Sequence, residues 1–198
     1  ILLRDAAYEL GGGNCESVNY TCATSDQELL MENEILLFGE DLPELKQDTS
    51  FARIVFLRTD AADNFEGEEE LYRFVRELEY VRYHIFPKGY MVRTSAKSSR
   101  EQARVSKDAI GAGINFERLG STYIRKYLKN PRVRNVQVLF LTGMKELEPF
   151  LKEAQQTDAV TGALNHILQG MPMNCKTCDL KTICDEVDGM RSLHQKNR

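Results

Sequence analysis

Three short apolar runs constrain the fold of this chain more than any other feature. Residues 35–38, 52–57 and 136–141 are largely apolar, and each run ends within a few residues, so each predicts a buried strand. Two further strands are predicted at residues 83–86 and 90–94, joined by a turn at Pro87-Lys88-Gly89, and a short third piece at residues 103–105.

Helical patterns lie between these runs, and the clearest covers residues 66–82. Its apolar side chains recur at helical spacing, and its acidic first turn followed by basic residues complements the helix dipole. A capping box from Ser25 to Glu28 predicts a helical turn at residues 29–31. Other helices are predicted at residues 3–10, 106–110, 116–128, 145–154 and 158–168. Because strands and helices alternate only loosely, the fold class is predicted as α+β, a mixed β-sheet flanked by helices with a small C-terminal cysteine-rich tail.

Composition excludes several classes of protein. The chain has 198 residues and a net charge of −4, which does not favour nucleic acid as a partner. There is no run near 18 apolar residues, so no membrane-spanning helix is predicted. Five cysteines, an odd number, favour a reducing cytoplasmic location over a secreted disulfide scaffold. We predict three parts: a helical and loop segment at 1–34, an α+β domain at 35–170 and a cysteine-rich tail at 171–198.

The tail carries the sharpest motif in the sequence. Cys175, Cys178 and Cys184 form a Cys-x2-Cys-x5-Cys pattern, in which the first pair can converge on one metal from a single turn. Thiolates suit iron–sulfur clusters and zinc. Three cysteines leave one ligand position open to a partner protein, or to another residue of this chain. The candidates for that fourth ligand are His194, Cys15 and Cys22.

Other interpretations of the tail stay open at this point. Lys176 and Lys181 would favour the thiolate forms, which also suits a redox pair made by Cys175 and Cys178. Alternatively, the tail is structural. In that case Ile183, Val187, Met190 and Arg191 suggest a short amphipathic helix that packs on the rest of the protein.

A local basic stretch near Pro131 is unexpected in an acidic chain. It could bind a phosphate-bearing molecule such as coenzyme A, or dock an acidic electron carrier. Alternatively, its residues form a solvated helix end whose charges oppose the C-terminal dipole. The residues assigned to this weak phosphate or partner site are Arg125, Lys126, Lys129 and Arg132.

Several segments, taken in order, resemble one family. Residues 35–44, Ile-Leu-Leu-Phe-Gly-Glu-Asp-Leu-Pro-Glu, resemble the opening of the central domain of carbon-monoxide-methylating acetyl-CoA synthase, the acetyl-CoA decarbonylase/synthase beta subunit family. Residues 105–110, Val-Ser-Lys-Asp-Ala-Ile, resemble that domain's Ile-Ser-Lys-Asp-Ala stretch. The helix at 116–127 and the strand at 136–138 follow in the same order. The resemblance covers residues 35–142, and the cysteine tail lies where the family begins its nickel–iron–sulfur site.

The resemblance implies an acetyl-CoA-synthase-like subunit of an anaerobe, active in one-carbon metabolism of carbon monoxide and acetyl-CoA or in associated electron transfer. It implies a [4Fe-4S] cluster, with Cys175 and Cys178 matching the family's first two cysteines. Nickel is not expected, because the family's Cys-Gly-Cys motif is absent from this sequence. The implied partners are carbon monoxide dehydrogenase, a corrinoid protein or a ferredoxin-like subunit. The alternative is a non-catalytic scaffold or partner-docking module whose tail holds structural zinc or reactive thiols.

Overall fold

A computed structural model of the protein describes residues 6–61, 64–94, 101–143, 147–169, 176–187 and 190. The strands are β1 (Ala7–Leu10), β2 (Ser17–Thr24), β3 (Glu34–Phe38), β4 (Phe51–Thr59), β5 (Tyr90–Thr94), β6 (Glu101–Ser106) and β7 (Val133–Thr142). The helices are α1 (Glu68–Tyr80), α2 (Lys107–Gly111), α3 (Phe116–Tyr127), α4 (Glu148–Leu168) and α5 (Lys181–Glu186). Short 3₁₀ turns occupy Leu42–Glu44 and Val81–His84. None of the described helices is both long and apolar enough to cross a membrane.

The strands form two sheets. A four-stranded mixed sheet has the order β2-β4-β7-β3, in which the outer pairs are parallel and the central pair, β4 with β7, is antiparallel. A three-stranded antiparallel sheet has the order β1-β6-β5. These mixed sheets with their helices confirm the predicted α+β class.

The four-stranded sheet is covered on both faces. On one face, Phe51 of β4 and Phe140 of β7 pack with Phe116 of α3, whose ring centroid lies 4.6 Å from that of Phe140. On the other face, Ile54 of β4 packs in a cluster with Ala154 of α4. A central strand buried on both faces needs apolar residues at consecutive positions, which explains the continuous runs of β4 and β7. The prediction that residues 35–38 form a buried strand is wrong in one respect, because β3 is an edge strand whose Leu37 and Phe38 are exposed.

The helix α3 approaches the sheet closely at Gly120. A Cβ atom at this position would lie 2.8 Å from side-chain atoms of Ile35 in β3, so any larger residue would push helix and strand apart. At the N-terminal end of the same helix, the Asp41 carboxylate accepts a hydrogen bond from the backbone N–H of Phe116 at 2.9 Å. Both contacts hold α3 against the edge strand β3.

The tail helix α5 packs on the rest of the protein, as its amphipathic pattern predicts. Leu180, Ile183 and Val187 lie against a buried cluster that contains Tyr72 of α1 and Leu164 of α4. Met190 is fully buried in the same cluster. This apolar contact, to which Cys184 also contributes, attaches the described part of the tail to the body.

Two predictions near the N-terminus are wrong. Of the helix predicted at residues 3–10, the described part Ala7–Leu10 is a strand, because antiparallel pairing with β6 outweighs its local helical preference. The helical turn predicted at residues 29–31 is absent. There the Asp26 side chain accepts from the N–H of Glu28 at 2.9 Å, a local bond that competes with helix formation.

Two other predictions fail further along the chain. The strand expected at residues 83–86 is a 3₁₀ turn, Val81–His84, that continues from α1, and β5 forms its hairpin with β6 instead. The two helices predicted at 145–154 and 158–168 are one helix, α4. No proline or glycine interrupts residues 155–157, and the Thr157 hydroxyl donates to the carbonyl of Glu153 at 2.9 Å within the helix.

Candidate functional site

The structure describes two of the three tail cysteines, Cys178 and Cys184. Both are half-buried, Cys178 in the turn before α5 and Cys184 within the helix. The carbonyl of Cys178 accepts from the N–H of Lys181, and the N–H of Cys184 donates to Leu180, both at 3.1 Å. The backbone at both cysteines is therefore held by the first turns of one short helix. Cys175 and His194, also predicted as ligands, lie outside the described residues.

The charge of Lys181 in the tail is not free to act on the thiols alone, contrary to what the sequence predicted. Lys181 was expected to favour thiolate formation, but its ammonium group pairs with the Asp185 carboxylate on the same helix. Cys184 itself packs against the apolar cluster shared by α1, α4 and α5.

The two remaining candidate ligands, Cys15 and Cys22, lie on other elements. Cys15 is in the loop between β1 and β2, where burial and then the charge of Asp48 raise its pKa. Cys22 lies on β2 beneath α4, and its pKa is raised first by burial and then by Glu153 and Glu79. A metal binds the thiolate, so both cysteines would have to be deprotonated at a cost. Among the described residues there is no group of three or more Cys, His, Asp or Glu side chains that could hold a metal ion.

The predicted basic site is divided by the fold. The Arg132 guanidinium pairs with Glu70 at 2.7 Å, donates to the carbonyl of Asn64 at 3.0 Å and lies over the ring of Phe65. Arg132 therefore connects the start of β7 with the start of α1, which is a structural role. Lys126 lies in the last turn of α3 and is half-buried, and Lys129 lies just after the helix and is exposed.

Arg125, in contrast, faces a groove of about 1020 Å³ together with Arg118 and Lys88. The Arg125 guanidinium donates to the hydroxyl of Thr122, which donates to the carbonyl of Arg118. Arg118 belongs to the basic stretch noted in the sequence, whereas Lys88 was given no site role. For the arginines the signal was available, because positions 118, 122 and 125 share one face of a helix. Asp108 and Glu117 also line the groove, so its charge is mixed.

A buried polar cluster, which we define as Asn19, Arg53, Glu79 and Arg82, was missed from the sequence. Arg53 is fully buried, donates to the Asn19 side-chain oxygen at 3.2 Å and lies 4.7 Å from the centre of the Tyr123 ring. Arg82 donates to the same Asn19 oxygen and lies 3.8 Å from the Glu79 carboxylate. The signal was Arg53, a charged residue with apolar residues on both sides in β4.

The buried polar cluster adjoins a cavity of about 270 Å³ between β2, α1 and α4. Glu79, Glu153 and the hydroxyls of Thr21 and Thr157 line it. Near it, the Tyr127 hydroxyl lies 3.3 Å from the Thr21 hydroxyl, and burial raises the pKa of Tyr127. Burial, followed by the charges of Cys22 and Glu153, raises the pKa of Tyr20 to about 12. Both tyrosines are therefore neutral over the physiological range.

No model of a known protein family matches this chain, and no curated protein matches it. Function therefore has to be argued from the chain's own residues. The tail offers thiol donors for a metal, the groove offers cations and hydroxyls for an anionic ligand, and the buried polar cluster links α1 to β2 and β4. Of these, the tail has the most specific chemistry, because its three cysteines have ligand-like spacing.

Proposed function

We propose that this chain is an acetyl-CoA-synthase-like subunit whose tail binds an iron–sulfur cluster. The observation that carries the proposal is the spacing of Cys175, Cys178 and Cys184, together with the position of Cys178 in the turn before α5 and of Cys184 within it. A short helix preceded by a turn can direct two sulfurs toward one side. The apolar packing of α5 holds this helix on the body, as a ligand site requires.

The donor set favours iron–sulfur chemistry over nickel chemistry. Cysteine thiolates are the usual ligands of [4Fe-4S] clusters, and the sequence contains no Cys-Gly-Cys to hold a further nickel ion. Such a cluster would supply one-electron transfer. The chain's own residues would bind it, orient it at the end of α5 and, through Leu180 and Ile183, limit the access of water from the protein side.

The metabolic assignment depends on the resemblance of residues 35–142 to acetyl-CoA synthase. It places the chain in carbon monoxide and acetyl-CoA metabolism or in the electron transfer that accompanies it. Carbon monoxide dehydrogenase, a corrinoid protein or a ferredoxin-like subunit would then be the partner. Within this proposal the acyltransfer step itself is not assigned to any residue of this chain.

The test is anaerobic purification followed by assays of iron, acid-labile sulfide, zinc and nickel per chain. We expect iron and sulfide in similar amounts, brown colour and almost no nickel. Cys178→Ser should lose most of the iron. The matched control is Thr182→Ser, which changes an exposed residue of the same helix that is not a candidate ligand and should keep the iron. A colourless, iron-free anaerobic preparation, or equal loss of iron in both variants, would contradict the proposal.

A second candidate is a non-catalytic docking module with a zinc-stapled tail. The packing of α5 against α1 and α4 favours it, because a structural zinc usually stabilises a small element of this kind. It predicts about one zinc per chain and a chelator that increases amide hydrogen exchange in α5. Iron with sulfide, or α5 exchange that is unchanged by chelator, would exclude this candidate.

A further inference from the structure

The segment 25–40 is acidic and carries no compensating charge. It contains five carboxylates and no lysine, arginine or histidine. All five carboxylate residues are exposed. They are Asp26, Glu28, Glu32, Glu34 and Glu40. The segment includes β3, and we call it the acidic edge.

The strand in this segment has an open side. β3 is the last strand of the four-stranded sheet and, among the described residues, pairs only with β7. In a parallel pair only alternate N–H and C=O groups face the neighbour, so the others point outward from the edge. Edge strands are usually protected by lysine, proline or a bulge, and residues 34–38, Glu-Ile-Leu-Leu-Phe, contain none of these.

The acidic edge also exposes apolar side chains. Met31 is 79% exposed, Phe38 56% and Leu29 53%. Between Leu29 and Met31, Leu30 has a φ of 54°, in the left-handed region that costs a residue with a Cβ about 1 kcal/mol or more. The chain thus adopts an unfavourable backbone conformation where it also leaves two large apolar side chains in water.

We propose that the acidic edge binds an extended segment of another protein, in which apolar residues are flanked by lysine or arginine, as an added strand beside β3. Backbone hydrogen bonds to the open side of β3 would supply affinity, as in other strand additions. Phe38 and Leu37 would pack on the apolar residues of the added strand, and the surrounding carboxylates would pair with its basic ends.

Charge decides against a second copy of this chain as the occupant. Antiparallel self-pairing centred on Leu36 would bring Glu32 of each copy towards Glu40 of the other, at both ends of the new strand pair. Like charges opposite each other on paired strands are destabilising. A basic segment removes this repulsion, which is why we favour it.

The test uses a capped peptide, Lys-Lys-Val-Thr-Val-Thr-Lys-Lys, and a control peptide with glutamate at each lysine position. Binding is measured by titration calorimetry and mapped by amide hydrogen exchange. We expect the lysine peptide to slow exchange at β3 by at least about fivefold, and the glutamate peptide to have no effect. Phe38→Asp should weaken binding of the lysine peptide by about fivefold or more, whereas Phe86→Asp, at a more exposed phenylalanine outside the acidic edge, should not.

A double charge reversal, Glu32→Lys with Glu40→Lys, should weaken binding of the lysine peptide and allow the glutamate peptide to bind. Equal binding of both peptides, or slowed exchange anywhere other than β3, would overturn the proposal. Light scattering that reveals a dimer which Phe38→Asp dissociates would also overturn it, in favour of a second copy. These measurements do not depend on bound metal, so their failure is separate from failure of the proposed cluster.

Discussion

The cysteine tail and the buried polar cluster are the two most unusual chemical features of the molecule, and they differ in almost every respect. The tail's cysteines lie close together in sequence, and the two described ones, Cys178 and Cys184, lie just before and within a short helix. The buried polar cluster joins Asn19, Arg53, Glu79 and Arg82 from β2, β4, α1 and the following 3₁₀ turn. The tail motif is visible in the sequence as a cysteine spacing, whereas the buried polar cluster is visible only as a set of contacts in the folded chain.

The two features should also differ in what a substitution changes. Ligand sites on short, locally encoded elements can be lost without unfolding the protein. The partners of a buried charge cannot be removed without loss of stability, because the desolvation of that charge has to be offset by partners from several elements at once. We therefore expect substitutions in the buried polar cluster to change global stability, and substitutions in the tail to change metal content and local order.

The largest effect is expected for Arg82→Ala. Arg82 lies 3.8 Å from Glu79 and 3.4 Å from Asp158, and Glu79 is only 4% exposed. Removing the guanidinium leaves the Glu79 carboxylate without this counter-charge, which should lower the free energy of unfolding by about 3–5 kcal/mol in urea denaturation. The control is Arg73→Ala, which removes an exposed pair with Glu69 and should cost less than about 1 kcal/mol. Similar losses of unfolding free energy in both variants would mean that burial does not increase the contribution of the cluster to stability.

A smaller effect is expected at high pH. The pKa of Tyr20 is about 12 in the folded protein, above its ordinary value of 10.0, so the unfolded chain loses this proton first. The stabilisation that the buried, neutral Tyr20 hydroxyl provides is therefore fully present below about pH 10. The free energy of unfolding should fall by about 2–3 kcal/mol as the pH rises to about 12. Urea denaturation of the protein and of Tyr20→Phe across this pH range measures the loss of stability. If the variant shows the same slope, Tyr20 does not contribute to the loss.

The smallest effect is expected for Ile183→Ala in α5. Ile183 is half-buried against the cluster of Tyr72 and Leu164, so its truncation should cost about 1 kcal/mol. The loss should be local, with faster amide exchange at Cys184 and Val187 and unchanged exchange in β4. Faster exchange throughout β4 would instead show that the tail and the body unfold together.

Local pattern was sufficient for most of the strands and helices. The apolar runs at β4 and β7 are buried between α3 and α4, and a continuous apolar run of that length is typical of a central strand. One prediction failed because a partner distant in sequence decides. Ala7–Leu10 became a strand because β6 pairs with it, and no property of residues 7–10 announces that partner.

The same division applies to the candidate sites. Arg125 and Arg132 are similar in sequence context, yet one faces a groove and the other pairs with Glu70. The difference follows from the position of α1, which no local pattern specifies.

By itself, the sequence determined the α+β class, the positions of the apolar strands and the ligand-like spacing of the tail cysteines, because periodicity and spacing act over a few residues. Only the tertiary structure decided that Asn19 meets Arg53 and Arg82, that α5 packs on α1 and α4, and that β3 has an open side. Each of these depends on contacts between residues far apart in the chain, and such contacts form only when many weak preferences are satisfied together.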